Sequence, residues 1–183
     1  ITAANRSGKS TFLRTLGINV LLAQTLATSL ARRLRLSDVT VLSAMRVQDD
    51  VLTGQSRYAN EARRLLRLVE SVESGRPTLC LIDEPLAGTN LGERRAASVA
   101  ILRHLAQRGG LVVVTTHDGE LAEALGESLT SYHVGAADGG DPGLAYRLRP
   151  GVGRRHNALH LLEELGYPAA IVAAARSRAA GLH

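Results

Sequence analysis

Lys9 is the only lysine in a chain of 183 residues whose other basic side chains, histidine aside, are all arginine. A lysine kept in that setting marks a place where arginine will not serve. It stands in the run Ile1-Thr2-Ala3-Ala4-Asn5-Arg6-Ser7-Gly8-Lys9-Ser10-Thr11, which fits a phosphate-binding P-loop. Such a loop wraps phosphates in backbone N–H groups, sends a slim ammonium to the β/γ-oxygens and offers a hydroxyl, here Ser10, to Mg²⁺. A planar guanidinium cannot enter without displacing the backbone. The feature constrains fold as well as chemistry: a strand must lead in, and a helix must lead out with its N-terminus aimed at the anion. Ala3 takes the first position, where the pattern has glycine; alanine serves there if φ stays negative. The rest of the chain sets aside the bland alternative, a Gly–Ser turn before an amphipathic helix. The sequence reads as nucleotide-binding.

The length suits one domain, able to bury about 70% of its unfolded surface. The chain begins directly before the loop, so most of the lead-in strand is expected upstream. No signal peptide and no apolar run of membrane-spanning length is present, which predicts a soluble, cytoplasmic domain with no membrane partner. Cys80 lies in an apolar strand-like run and reads as a buried, inert thiol. The net charge of +5 permits contact with nucleic acid without showing it. Trp is absent and Phe12 is the only Phe, which argues against a base-stacking platform. The arginine pairs at 32–33, 63–64, 94–95 and 154–155 read mostly as solvated faces.

Strand-like and helical patterns alternate along the chain. Helices are expected at 9–31, 57–74, 92–108 and 119–125, and two more at 157–165 and 168–180. Apolar strands are expected at 39–42, 79–82 and 111–114, with edge strands at 129–134 and 144–148 around a Gly/Asp-rich turn. Alternation of this kind means an α/β domain with a largely parallel central sheet flanked by helices. The expected division is a core over residues 1–150 and a helical segment over 151–183. Ligands bind at the carboxyl ends of parallel strands, and three motifs fall there.

The first is the loop around Lys9. The second is Asp83-Glu84, just past Leu79–Ile82. A carboxylate at such a strand end can serve Mg²⁺ and the next can orient an attacking water. Magnesium keeps several waters and takes few carboxylates, so Asp83 with Ser10 suffices. The third is His117, in Thr115-Thr116-His117-Asp118 at the tip of the following strand, where a histidine can contact a γ-phosphate.

The order Thr2–Thr11, Arg46–Tyr58, Asp83–Asn90, Thr115–Asp118 and a closing Asn157-Ala158-Leu159 resembles the C-terminal ATPase domain of the MutS mismatch-repair family, which belongs to the ABC class of P-loop ATPases. The resemblance covers nearly the whole chain. It implies that Asn5, Arg6, Ser7, Gly8, Lys9, Ser10 and Thr11 form the ATP loop and that Ser10 and Asp83 serve Mg²⁺. It further implies that Glu84 is the catalytic base for water and that His117 is a switch histidine. Gly88-Thr89-Asn90 would cross to a dimer partner, a second copy or a related protomer. Ser56, at the head of a helix from Arg57, would reach the nucleotide of that partner. The closing helices, with Leu159, Leu161, Leu162, Leu165, Ile171 and Val172, would pack either on the partner or on their own domain. DNA would be contacted by regions outside this stretch.

Three departures from the family pattern point to a divergent branch. Arg6-Ser7 replaces Met-Gly, Ser56-Arg57-Tyr58 replaces Ser-Thr-Phe, and Pro85 follows Asp83-Glu84 as in other ABC ATPases. Two other readings use the same residues. One is a nucleotide-gated switch with negligible turnover. The other is a transport or chromosome-structuring ATPase, disfavoured because only Gly54-Gln55-Ser56 approaches a Leu-Ser-Gly-Gly-Gln signature.

Overall fold

A computed structural model describes residues 1–3, 8–45, 57–87, 90–135, 147–153, 162–163 and 165–180. The chain-order elements are α1 (Lys9–Leu26), β1 (Thr40–Ala44), α2 (Arg57–Glu73), β2 (Thr78–Asp83), α3 (Leu91–Gln107), β3 (Leu111–Thr115), α4 (Gly119–Ala124), β4 (Tyr132–Gly135), β5 (Arg147–Pro150) and α5 (Ala169–Ala180).

Strand β2 organises the rest because both of its faces are covered. Every residue from Thr78 to Asp83 is buried, which is why the segment reads as a continuous apolar run and not as an alternation. Leu79 and Leu81 join Leu13 and Val20 of α1 in one core. Cys80 and Ile82 face the other way, into a core with Leu65, Leu68 and Val72 of α2, Leu102 and Leu105 of α3, and Val114 of β3. Helix α1 approaches its face closely: a Cβ added to Gly17 would lie 2.7 Å from a methyl of Leu81. Helices on both faces of a parallel sheet make the α/β layering expected from the alternating pattern.

The sheet is parallel from β1 through β2 to β3. Residues 1–3 extend it. Thr2 forms parallel bridges to Thr116 on one side and His133 on the other, and its carbonyl accepts from the Val134 N–H. Across the sheet, therefore, the segment leading into α1 lies beyond β3, not beside β2. The antiparallel pair β4–β5 closes that side, as the edge-strand reading anticipated.

Helix α1 is shorter than the expected 9–31. Ala27 turns into the left-handed region with φ 51° and its N–H returns to the Leu22 carbonyl, ending the helix in an αL-type cap. Asn19 then holds the chain outside the helix by accepting from the Leu30 N–H at 2.7 Å. In the closing region α5 buries Val172 but exposes Ile171, with Leu165 and Tyr167 exposed ahead of it. Most of the helix expected at 157–165, with Leu159 and Leu161, lies outside the described residues.

Candidate functional site

Gly8 caps α1 at φ 83°, a conformation glycine adopts without strain. The first turn of α1 carries no acidic residue, so the positive dipole end of the helix suits an anion. Lys9 is buried there, donating to the Ala3 carbonyl at 2.6 Å and lying 3.8 Å from Glu84 Oε1. Burial lowers its pKa from the ordinary lysine value, an effect opposed by the nearby Glu84 and Asp83 carboxylates.

Asp83 ends β2 and is buried. Two hydroxyls meet its carboxylate: Ser10 donates to Oδ2 at 2.5 Å and Thr115, its register partner on β3, donates to Oδ1 at 2.5 Å. The contact to Ser10 joins residues 73 apart in sequence. One carboxylate beside one hydroxyl suits Mg²⁺, which retains most of its waters. Among the described residues no larger cluster of His, Cys, Asp and Glu is placed to hold a metal. The donor set fits the ion.

Glu84 takes φ 52°, a left-handed conformation that costs a non-glycine residue about 1–3 kcal/mol. Its N–H is tied to the Thr115 carbonyl at 2.9 Å. Its carboxylate lies 2.8 Å from His117 Nδ1, and Oε2 accepts from the Thr116 hydroxyl at 3.2 Å. His117 is itself half exposed. The strained turn brings Lys9, Asp83, Glu84 and His117 to one end of the sheet, with Glu84 poised between a cation and an imidazole.

Of the residues singled out from the sequence, Gly8, Lys9, Ser10, Thr11, Asp83, Glu84 and His117 fall at this end, on or beside the head of α1 and the ends of β2 and β3. Asn5, Arg6, Ser7, Ser56, Gly88 and Thr89 lie outside the described residues. Sequence reasoning missed Thr115 and Thr116, whose hydroxyls hold the two carboxylates; a Thr-Thr pair ending an apolar strand was the available signal. One arginine pair is an exception to the solvated faces expected of most. Arg94 and Arg95 do not form a solvated face but lie largely covered against Asp118, at 3.3 and 3.1 Å.

Known proteins of the same kind match the full extent of the chain. The family profile described as MutS domain V matches residues 1–183. An "Endonuclease MutS2" of Synechocystis sp. is 31% identical over 99% of this chain and 24% of its own length. One from Thermomicrobium roseum is 32% identical over 96% of the chain and 22% of its own length. A "DNA mismatch repair protein MutS" of Roseiflexus sp. is 30% identical over 94% of the chain and 16% of its own length. The chain thus spans a quarter or less of these curated relatives. A fold and a strand-end site like this, with a family profile matched from first residue to last, make the chain a member of the MutS family by its domain V.

Proposed function

We propose that this domain binds ATP with Mg²⁺ and hydrolyses it, as the ABC-class ATPase part of a MutS-like DNA-repair protein of a divergent branch. The observation that carries the reading is the 2.5 Å contact between Ser10 Oγ and Asp83 Oδ2, with Lys9 and Glu84 beside it. It unites a loop hydroxyl and a strand-end carboxylate in the arrangement that phosphoryl-transfer chemistry needs.

The roles follow from the chemistry of each side chain. Lys9 and the N–H groups at the head of α1 hold phosphate oxygens. Ser10 and Asp83 hold Mg²⁺, which when bound neutralises charge on the phosphate oxygens. Glu84, anchored by Thr116 and His117, orients the attacking water and accepts its proton. His117, half exposed at the strand tip, reaches toward the γ-phosphate. By the family resemblance, Ser56 and the stretch 88–90 complete the site of a second protomer. ATP would then close a dimer and hydrolysis would release it, moving DNA-contacting regions outside this stretch.

The test is the Mg²⁺-dependent ATPase rate as a function of protein concentration, with Lys9→Ala as the blank. Specific activity that rises with concentration and levels off is the expected result, because each site is completed in trans. A flat, non-zero specific activity over a range in which the protein is monomeric would overturn the composite site. It would leave a self-sufficient ATPase.

A further inference from the structure

Among the described residues near the site, Asp118 is a heavily bonded side chain that the hydrolytic reading does not use. It is buried and receives a two-pronged contact from Arg95: Nε donates to Oδ2 and a terminal guanidinium nitrogen to Oδ1, both at 3.1 Å. Arg94 adds a third donor at 3.3 Å. Asp118 Oδ1 also caps α4, accepting from the Leu121 N–H at 3.1 Å. Arg95 further pairs with Glu120. The first turns of α3 and α4 are thereby bolted together at the end of the sheet where Glu84 lies.

The connection to Glu84 runs through one hydroxyl. The Asp118 backbone N–H donates to Thr116 Oγ1 at 3.0 Å. A threonine hydroxyl has a single proton to give. With a lone pair already engaged by Asp118, that proton is free to point at Glu84 Oε2, 3.2 Å away. The position of Asp118 therefore sets the direction in which Thr116 donates, and with it the seat of the Glu84 carboxylate. His117, between Thr116 and Asp118 in the chain, is carried by the same short segment. A forked guanidinium–carboxylate pair is more directional than a single ion pair, which suits a part whose task is alignment.

We propose that Arg95 and Asp118 are positioning residues for Glu84 and His117, acting on the hydrolytic step and not on nucleotide affinity. The proposal rests on the hydrolytic reading above. It predicts a split between rate and binding. Asp118→Asn keeps the helix cap, since asparagine caps as well as aspartate, but weakens the forked pair; Arg95→Gln removes the pair from the other side.

The experiment measures kcat per nucleotide-binding site, and equilibrium binding of Mg²⁺ with a fluorescent ATP analogue, for wild type, both single variants and the double variant. Each single variant is expected to lose ~10- to 100-fold in kcat, the scale on which a small misplacement acts, with analogue affinity within about twofold. The double variant is expected to fall no further than the worse single one, because the pair acts as a unit. Arg95→Lys, which keeps charge without the fork, should recover only part of the rate lost in Arg95→Gln.

A wild-type kcat in Arg95→Gln would overturn the proposal. So would affinity falling in parallel with rate, or losses that multiply in the double variant. Should Asp118→Asn fail to fold, Arg95→Gln and Arg95→Lys carry the test through the rate–affinity split and the partial recovery. A wild type no more active than Lys9→Ala would instead remove the hydrolytic reading itself, and the proposal with it.

Discussion

Glu84, the residue proposed as the base, has an unusual backbone. Its φ of 52° is unfavourable for a long side chain, yet it turns the carboxylate toward His117 and Thr116. Backbone strain held at a functional site is a recurrent device. Glu84→Gln keeps size and loses the proposed base. It is expected to retain ATP binding while hydrolysis falls at least about tenfold, a conservative floor for general-base effects; single-turnover kinetics beside equilibrium binding would show both. Hydrolysis at the wild-type rate would remove Glu84 from the mechanism. Cys80 is the opposite kind of residue. Burial pushes its thiol up to about 11, so the reactive thiolate is scarce at neutral pH. A thiol reagent should label Cys80 only after denaturation; prompt labelling of native protein would contradict its place in the core.

At the scale of elements, α1 packs tightly against β2 at Gly17. Gly17→Val puts carbon where Leu81 already lies, and overpacking of this sort costs roughly 1–3 kcal/mol. The expected result is a lower urea midpoint with an unchanged slope. The junction of α3 with α4 adds a pH dependence. Burial would raise the Asp118 pKa, but hydrogen bonds from Arg95, the Leu121 N–H and Arg94, with the Arg95 charge, hold it below the ordinary 3.8. A depressed carboxylate contributes stability that is full above its unfolded pKa and is lost as pH falls through its folded one. Denaturation of wild type and Asp118→Asn from pH 6 downward should therefore show the largest gap above about pH 4, narrowing below it as Asp118 takes up a proton. A gap that stayed constant would mean that the carboxylate charge is not what the junction uses.

Much of this was legible in the sequence. The runs at 79–82 and 111–114 lie within β2 and β3, and β2, buried along its whole length, cannot hide its apolar character. Lys9 could be named from its loop pattern, and Asp83, Glu84 and His117 because each follows a strand-like run, where ligands gather. Less legible was whatever depends on pairing across the sheet. Thr115 reaches Asp83 only through the register of β3 on β2, and Arg95 reaches Asp118 across 23 residues. A single chain read in order gives neither partner. The end of α1 was missed because its apolar pattern runs past Leu26, while the stop comes from Ala27 and from the long-range hold of Asn19 on Leu30.

For the whole molecule, among the described residues no helix is long and apolar enough to cross a membrane, and the family is that of proteins named for mismatch repair and endonuclease activity. The most general consequence of the nucleotide reading is linkage. A non-hydrolysable ATP analogue with Mg²⁺ at 100 times its Kd should stabilise the fold by about 2.7 kcal/mol. For a domain of this size that raises Tm by roughly 5–11 °C. Lys9→Ala should abolish the shift, and an equal shift in that variant would place the ligand elsewhere.

The Asp83–Thr115 pairing has one more consequence, concerning errors. A slip of β3 by one residue would set Thr116 opposite Asp83 and turn the Thr115 hydroxyl to the other face. The same slip would set Thr115 opposite Ile82, in the place of Val114, and carry its hydroxyl into the apolar core toward α2 and α3. A misaligned site would thus also carry a cost in the interior, where a buried hydroxyl without a partner is unfavourable. The register that fills the core is the one that seats Thr115 on Asp83.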